Sequence, residues 1–314
     1  QEREDYQVVH QYINNGYHIV LDVNSGAIHV VDEVVYDVIP LFEKHSSEEI
    51  TGLLREKYSE EEIREAVAEV AQLKTEGSLF TPDTYEEPLI DFKKRPTVVK
   101  ALCLHIAHDC NLACRYCFAE EGEYHGRRAL MSYETGKAAL DFLIANSGSR
   151  RNLEVDFFGG EPLMNFEVVK QLVAYGREQE KLHDKHFRFT LTTNGVLLND
   201  DIMEFANREM DNVVLSIDGR KEVHDHMRPF RKGAGSYDLI VPKFQKFAKS
   251  RNQEKYYVRG TYTHFNTDFS KDVLHLADLG FKQISVEPVV AEETDDYAIK
   301  EEDLQVLFKE YDDL

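Results

Sequence analysis

From Val98 onward, the sequence alternates between short β-prone runs and longer stretches with helical periodicity. Six runs are predicted strands: Val99–Ile106, Leu153–Phe158, Phe187–Thr192, Asn212–Ile217, Tyr256–Thr263 and Gln283–Glu287. The helical patterns between them cover Tyr133–Ala145, Phe166–Leu182, Asp201–Arg208, Tyr237–Ser250 and Phe269–Leu279. Because a helix separates each pair of successive strands, the alternation predicts an α/β fold built around a parallel sheet.

The loop after the first predicted strand holds three of the four cysteines in the chain, with the spacing CxxxCxxC. These are Cys110, Cys114 and Cys117. Thiolates are soft ligands, so iron–sulfur clusters and zinc are the candidates for an inorganic centre here. A 4Fe–4S cluster usually takes four cysteines, and three would leave one iron open to another ligand.

Zinc binding and disulfide formation are the two alternative uses of these cysteines. A zinc site needs a fourth ligand, for which His105, His108 and His125 are near in sequence. A disulfide framework does not fit a single group of cysteines in a large acidic chain.

The cysteine spacing resembles the signature of the radical S-adenosylmethionine (radical SAM) enzymes, which has an aromatic residue just before the third cysteine, here Tyr116. In that family the open iron chelates the amino and carboxylate groups of S-adenosylmethionine (SAM). An electron from the cluster then cleaves SAM into methionine and a 5′-deoxyadenosyl radical. The resemblance implies that Cys110, Cys114 and Cys117 bind a 4Fe–4S cluster. It also implies a partial (β/α)6 TIM barrel, with the active site at the C-terminal ends of the strands.

The second strand of this region ends in Gly159-Gly160-Glu161-Pro162. This resembles the GGEP motif, which binds the methionine amino group of SAM in the same family. Two glycines let the backbone approach a ligand closely. By this resemblance Gly159, Gly160, Glu161 and Pro162 are cofactor-binding residues, and the Glu161 carboxylate accepts from or orients the ammonium group.

Residues at later strand ends are implied as cofactor contacts by the same resemblance. Thr192 and Asn194 are expected close to the cofactor, and Ser216 is expected to reach the SAM ribose. Arg259 is expected on the methionine carboxylate or ribose side, because a guanidinium binds a carboxylate through two hydrogen bonds. A salt bridge at the barrel rim is the alternative for Arg259.

Other residues near the strand ends carry weaker predictions, and no catalytic residue is assigned. Asp218 and Gly219 form a turn pair, so a turn role competes with a ligand contact for Asp218. His224 is a weak candidate for catalysis, and Arg228 either contacts substrate or caps its loop. Cys103 lies within the first strand and is expected to be a small buried hydrophobe.

Residues 1–80 are predicted to form a small α+β domain. Its elements are strands Gln7–Tyr12, Tyr17–Asp22 and Ala27–Val31, then helices Glu33–Lys44, Ser46–Lys57 and, after a Ser59 cap, Glu60–Glu76. This order resembles the winged-helix, PqqD-like domain that binds leader peptides in peptide-modifying enzymes. There the leader adds as a strand to the sheet edge, which here is Ala27–Val31 beside the helix Glu60–Glu76. A DNA-binding winged helix, which the many Glu residues disfavour, and a structural cap are the alternatives.

Three further segments are expected along the chain. Residues 81–97 are a predicted linker containing Pro82, Pro88 and Pro96, and residues 98–290 are the partial barrel. Residues 291–314 are expected to begin a bridge to a C-terminal SPASM region, which carries auxiliary 4Fe–4S clusters in peptide-modifying enzymes. The cysteines of such a region are not in the sequence. The chain is therefore expected to be a fragment or a form without that region.

Composition narrows the classes of partner. The formal net charge of −21 argues against nucleic acid, whose phosphates attract basic surfaces. The chain is 42% hydrophobic and 30% charged, as in ordinary globular proteins. Neither an apolar run long enough to span a membrane nor a signal peptide is found, so a cytoplasmic protein without a membrane partner is expected.

Taken together, the resemblances imply a maturase of a ribosomally made precursor peptide. The six-cysteine peptide (SCIFF) maturases, which form thioether bridges, have the same order of motifs. The implied partners are the precursor peptide and an electron donor such as flavodoxin or ferredoxin. A sulfatase formylglycine maturase, a carbon–carbon peptide crosslinker and a non-enzymatic zinc or peptide-binding protein are the alternatives.

Overall fold

The computed structural model describes residues 8–83 and 97–314. The chain divides into two compact units, Gln1–Arg95 and Pro96–Leu314. Most of the predicted linker, residues 84–96, lies outside the described residues. Among the helices that are described, none is both long enough and apolar enough to cross a membrane.

The first unit is a three-stranded antiparallel sheet followed by three helices. The strands are β1 (Val9–Asn14), β2 (Tyr17–Asp22) and β3 (Ile28–Val31), paired in that order. The helices are α1 (Glu33–Phe42), α2 (Ser47–Leu54) and α3 (Glu60–Thr75). The predicted strands and helices of this unit are confirmed, although β1 ends two residues later and α2 ends three residues earlier than expected. Gln7, the predicted start of β1, lies outside the described residues.

Local sequence explains the turns and helix ends of this unit. Asn15 and Gly16 connect β1 to β2 with φ of 49° and 79°, the left-handed conformation of a two-residue hairpin turn. Ser46 and Ser59 each close a capping box with the Glu three residues later. The core joins sheet and helices through buried apolar side chains: Val9, Val20, Val35, Val38, Ile39, Ile50, Ile63, Ala66, Val70 and Leu79.

The second unit is built on a seven-stranded sheet. Its strands are β4 (Ala101–His108), β5 (Ala129–Leu130), β6 (Asn152–Gly159), β7 (His186–Thr193), β8 (Asn212–Ser216), β9 (Tyr256–Tyr262) and β10 (Ile284–Pro288). They lie in the order β10-β9-β8-β7-β6-β4-β5. Every pair is parallel except β4 with the short edge strand β5, which the sequence did not predict. The predicted α/β fold with a parallel sheet is therefore confirmed.

Seven helices accompany this sheet. They are α4 (Tyr133–Ala145), α5 (Phe166–His183), α6 (Asp200–Glu209), α7 (Lys221–Met227), α8 (Tyr237–Ser250), α9 (Ser270–Asp278) and α10 (Leu304–Asp313). Helix α7 was not predicted, because its short stretch carries no clear apolar stripe. On α10, Leu307 packs in a small buried group with Tyr262 and Phe269.

The two faces of the parallel sheet differ in chemistry. Side chains such as Val155, Phe189 and Val213 are buried in the core shared with the helices. The alternate residues form what we call the polar face, where Cys103, Asp156, Thr190 and Asn212 lie in register across four neighbouring strands. The prediction that Cys103 is buried is wrong, because its side chain is exposed on this face. The apolar core therefore lies against one face of the sheet, and Cys103 is exposed on the other face.

Candidate functional site

The cysteine loop, residues 109–118, follows β4 at the C-terminal edge of the sheet. A segment after α7, residues 227–231, holds the backbone of this loop. The amide of Ala113 donates to the carbonyl of Pro229 and the amide of Arg115 donates to that of Met227, both at 2.9 Å. From the end of the same segment, the Arg231 guanidinium donates to the Cys110 carbonyl at 2.6 Å. The path of the loop is therefore fixed by protein contacts alone.

Three free thiols, those of Cys110, Cys114 and Cys117, share this loop. Burial raises the pKa of Cys110 to about 12 and that of Cys114 to about 11. Metals bind cysteine as thiolate, so loading this loop must release protons. Within residues 8–83 and 97–314, no three His, Cys, Asp or Glu side chains converge closely enough to hold one metal ion. A 4Fe–4S cluster does not require the three sulfurs to converge on one point, because each cysteine binds a different iron atom.

Buried polar atoms beside the loop have no partner in the part of the chain that the structure describes. The side-chain amide nitrogen of Asn111 and the hydroxyl of Tyr124 are two such atoms. The Tyr124 ring lies 4.4 Å from the His105 ring and 4.9 Å from the His108 ring, between centroids. Buried donors are normally paired, so these two favour a ligand with acceptor groups at the loop. Together with the three thiols of the loop, they fit a 4Fe–4S cluster with a polar co-ligand.

The glycine turn after β6 lies directly against the backbone that leads into the cysteine loop. A Cβ on Gly160 would lie 2.2 Å from the carbonyl oxygen of Asp109. Gly159 has φ of 125°, and a Cβ there would lie 2.5 Å from the carbonyl oxygen of Ala107. No other residue fits either position without moving the backbone, so the two glycines are required by this close approach.

Glu161 is fully buried between the ends of β6 and β7. Its carboxylate accepts from the Thr193 hydroxyl at 2.8 Å, the Asn194 amide at 2.8 Å and the Leu163 amide at 3.0 Å. Burial raises the pKa of Glu161 to about 7, although these hydrogen bonds oppose the rise. Glu161 thus joins two strand ends, while its contact with the SAM ammonium stays a prediction. Thr193 was not singled out from the sequence, because its bond to Glu161 spans 32 residues.

The other predicted cofactor contacts lie at successive strand ends. The Asn194 side-chain amide donates to the Cys110 sulfur at 3.5 Å and to the Asn111 side-chain oxygen at 2.8 Å. Thr192 and Ser216 are partly buried at the ends of β7 and β8. Pro162 opens the short 3-10 turn that follows the glycines. Only Asn194 reaches a cysteine side chain directly.

Arg259 lies on β9 and forms an ion pair with Glu287 on β10. Both side chains are about half exposed, at 51% and 50%. The arrangement is the rim salt bridge that the sequence left open as the alternative. The contact of Arg259 with the methionine carboxylate of SAM stays a prediction.

A buried group that the sequence did not predict lies behind the cysteine loop. The Tyr116 hydroxyl donates to the Asp218 carboxylate at 2.7 Å, and the Arg228 guanidinium donates to it at 3.0 Å. The amide of Thr261 donates to the same carboxylate at 3.1 Å. Asp218 has no exposed surface. The Asp-Gly turn pair therefore also supplies the anchor of the aromatic residue in the cysteine motif.

His224 holds the loop that carries Asp218. Its Nδ1 accepts from the Asp218 amide at 3.3 Å, and its Nε2 lies 2.9 Å from the Ser236 hydroxyl. Burial lowers the pKa of His224 to about 4, so the ring is neutral near pH 7. These contacts give His224 a structural role at this site.

A profile described as the Radical SAM superfamily matches residues 104–280. The chain is 31% identical over 189 residues to an uncharacterized protein of Methanocaldococcus jannaschii, covering 60% of this chain and 62% of that protein. It is 23% identical over 184 residues to the radical SAM cyclopropyl synthase TigE of Paramaledivibacter caminithermalis, covering 54% of this chain and 38% of TigE.

Among solved structures, native anSMEcpe with bound AdoMet and Kp18Cys peptide superposes with a TM-score of 0.59 at 20% identity. The superposition covers 67% of this chain and 58% of that one. Identity this low supports a shared fold alone. The chain thus spans 38–62% of the length of these three proteins.

Proposed function

Because the chain belongs to the radical SAM superfamily, we propose that it binds a 4Fe–4S cluster on Cys110, Cys114 and Cys117 and uses SAM to modify a peptide. When bound, the cluster supplies the electron that cleaves SAM to methionine and a 5′-deoxyadenosyl radical. The observation that carries the proposal is the fixed position of the cysteine loop. It is held at the C-terminal edge of the parallel sheet, beside the glycine turn and Asn194. Active sites of βα-repeat folds form at this edge.

We propose the following division of labour at the SAM site. The backbone of Gly159 and Gly160, with Pro162 fixing the turn, approaches the methionine amino group. Glu161 aligns that turn with Thr193 and Asn194 through its buried hydrogen bonds.

Three further side chains complete the proposed cofactor site. Thr192 and Ser216 face the nucleoside, with Ser216 at the ribose. Arg259 exchanges Glu287 for the methionine carboxylate, which its exposed position allows. We further propose that residues 98–290 close these strand ends into a partial barrel, which would keep water away from a reactive radical.

Residues 1–80 are proposed to be the PqqD-like domain that binds the leader of a precursor peptide. Strand β3 is an edge of its sheet. Ile28 and Val30 on that edge are each 65% exposed, which leaves apolar side chains beside unpaired backbone groups. A peptide strand added at β3 next to α3 would satisfy both through backbone hydrogen bonds and alternate side-chain contacts. The anSMEcpe structure with its bound peptide supports a peptide partner for this chain.

The reaction proposed is formation of a thioether between a peptide cysteine and a carbon that has lost a hydrogen atom to the 5′-deoxyadenosyl radical. The cysteine thiol gives up its proton, and the electron released when the C–S bond forms would be taken up by an oxidised iron–sulfur cluster. Auxiliary clusters for the peptide sulfur would belong to a C-terminal SPASM region, and flavodoxin or ferredoxin would donate the electron. Carbon–carbon bond formation is the second candidate, favoured by the similarity to the cyclopropyl synthase TigE.

The test begins with anaerobic reconstitution of the chain with iron and sulfide. We expect about four irons and four sulfides per chain, and 5′-deoxyadenosine from SAM when dithionite is supplied. Cys114→Ala should abolish that product, whereas Cys103→Ala, the matched control outside the loop, should keep it. Zinc without sulfide in the purified protein would contradict the proposal. Mass spectrometry of a candidate peptide then separates the reactions, because one thioether bridge removes two hydrogens.

A further inference from the structure

The orientation of the Asn111 side chain, which follows Cys110 in the cysteine loop, is fixed by a chain of hydrogen bonds. The backbone amide of Val196 donates to the Asn194 side-chain oxygen at 3.0 Å, which identifies the other end of that side chain as its nitrogen. The Asn194 nitrogen donates to the Asn111 side-chain oxygen at 2.8 Å. The remaining end of the Asn111 side chain is therefore its nitrogen, which is a hydrogen-bond donor only.

This nitrogen is buried, and no acceptor within residues 8–83 and 97–314 pairs with it. It shares a carbon atom with the Asn111 oxygen, which lies 3.9 Å from the Cys110 sulfur. The unpaired donor is therefore beside a cysteine of the proposed cluster site. A buried donor without a partner costs free energy, so native proteins normally supply one.

The backbone on both sides of Asn111 is held by contacts from outside the loop. On one side, the carbonyl of Cys110 accepts from the Arg231 guanidinium at 2.6 Å. On the other side, Leu112 is 1% exposed and forms a β-bridge with Phe230. The loop therefore keeps the unpaired donor inside the protein, next to the position that the cofactor would occupy.

We propose that Asn111 is a cofactor-binding residue whose side-chain N–H group donates to an acceptor of the cofactor held at Cys110; this inference rests on the proposed function. Two acceptors of negative character fit this donor: a sulfur atom of the cluster and the methionine carboxylate of SAM. A hydrogen bond to cluster sulfur favours the reduced cluster, because reduction adds negative charge. A hydrogen bond to a carboxylate strengthens SAM binding directly. In either case Asn194 positions Asn111.

The experiment compares Asn111→Leu with the unmodified chain, both reconstituted anaerobically and first analysed for iron and sulfide. Leucine has nearly the size of asparagine but no donor, and the substitution changes no charge. The reduction potential is measured without SAM by redox titration, with the electron paramagnetic resonance signal of the reduced cluster as the readout. The dissociation constant for SAM is measured by calorimetry with the cluster oxidised, so that SAM is not cleaved.

The two acceptors give different results. If the donor reaches a cluster sulfur, Asn111→Leu shifts the potential without SAM to more negative values. If it reaches the SAM carboxylate, the dissociation constant for SAM rises about tenfold or more, while the potential without SAM stays the same. Leu112→Val is the matched control, because it disturbs packing in the same loop but removes no donor. It should leave both quantities unchanged, and Arg231 is present in every variant.

The outcomes separate this inference from the function on which it rests. If the unmodified chain binds no iron and sulfide, the proposed function fails and the inference fails with it. If the chain binds the cluster but Asn111→Leu changes neither the potential nor the SAM affinity, the function stands and the inference is wrong. Equal changes in Leu112→Val would assign the effect to packing and also overturn it. Should Asn111→Leu not assemble the cluster, Asn111→Ala decides by the same two measurements.

Discussion

The loops at the C-terminal edge of the parallel sheet and the polar face of the same sheet differ in how their polar atoms are satisfied. At the edge, Glu161 and Asp218 are fully buried, and each accepts three or more hydrogen bonds. On the polar face, a buried oxygen of Asp156 and another of Asn212 have no partner among the described residues. The edge thus holds its buried carboxylates by protein contacts and, among the described residues, leaves two donors without a partner, the Asn111 side-chain amide and the Tyr124 hydroxyl. The polar face instead leaves acceptors without a partner.

Under the proposed function, this difference would fit an edge that holds the cofactor and a face that receives the substrate. Preformed loops place the thiols and the glycine turn without further rearrangement, which lowers the cost of binding. Unpaired acceptors on a sheet face suit a ligand that brings its own donors. A pocket of about 430 Å³ lies beside this row and includes Thr190, Asn212 and Tyr257. If the edge is tightly packed and the unpaired acceptors on the polar face are unfavourable, substitutions in the two regions should change the free energy of unfolding by different amounts and with opposite sign.

The largest effect is expected at the buried carboxylate of the edge. Asp218→Ala leaves the Arg228 guanidinium inside the protein without its partner, which typically costs about 3–5 kcal/mol of unfolding free energy. The measurement is urea unfolding of the metal-free protein, so that cofactor binding does not contribute. The control is Asp238→Ala, because Asp238 is 74% exposed and pairs with Lys221 at the surface. That change should cost about 1 kcal/mol or less, and equal losses in the two variants would remove the distinction.

A smaller loss is expected at the glycine turn. Gly160→Ala forces its new methyl group against the Asp109 carbonyl, 2.2 Å away, so the turn or the start of the cysteine loop must shift. Overpacking of this kind costs about 1–3 kcal/mol.

Gly52→Ala is the matched control for that substitution. Gly52 lies in α2 with no atom within 4 Å of the added carbon. Alanine there should stabilise the protein by about 0.5–1 kcal/mol, because glycine is unfavourable inside a helix. Thermal unfolding of both variants checks the pair, and a neutral Gly160→Ala would mean that the edge is less rigid than its contacts suggest.

What the sequence predicted, and what it missed, follows the range of the interactions. Most strands and helices were predicted because their signals are local. The contact from Tyr116 to Asp218 spans 102 residues, and that from Asn194 to Cys110 spans 84. Such pairs depend on which strands become neighbours in the sheet, so no local sequence pattern predicts them.

The error at Cys103 has a different origin. Strands of a parallel sheet are usually buried on both faces, which made a buried thiol the natural expectation. Here the alternate residues Cys103, Asp156 and Thr190 lie on the polar face, where the Cys103 side chain is exposed. The residue types on the neighbouring strands, a carboxylate and a hydroxyl, were the available signal.

The smallest effect, with the opposite sign, is expected on the polar face. Burial raises the pKa of Asp156 to about 6, and the Arg259 charge opposes this only in part. A carboxyl group whose pKa is raised by folding contributes most to the free energy of unfolding when the pH is below its ordinary pKa near 4. That contribution is lost as the pH rises through about 6. Asp156→Asn should therefore stabilise the protein by about 1–2 kcal/mol at pH 8 and have almost no effect at pH 4.

Asp141→Asn supplies the comparison for that pH dependence. Burial alone would raise the pKa of Asp141, but hydrogen bonds from Lys137 and Tyr175 hold this pKa below its usual value. Its substitution should weaken the protein slightly at pH 8, because a lowered pKa stabilises the fold above the ordinary value and not below it. The free energies of unfolding of both variants, measured at pH 4, 6 and 8, show how the effect of each substitution changes with pH. If Asp156→Asn destabilises at pH 8 as Asp141→Asn does, the carboxylate on the polar face already has a partner, and that face is no more open to a substrate than the edge.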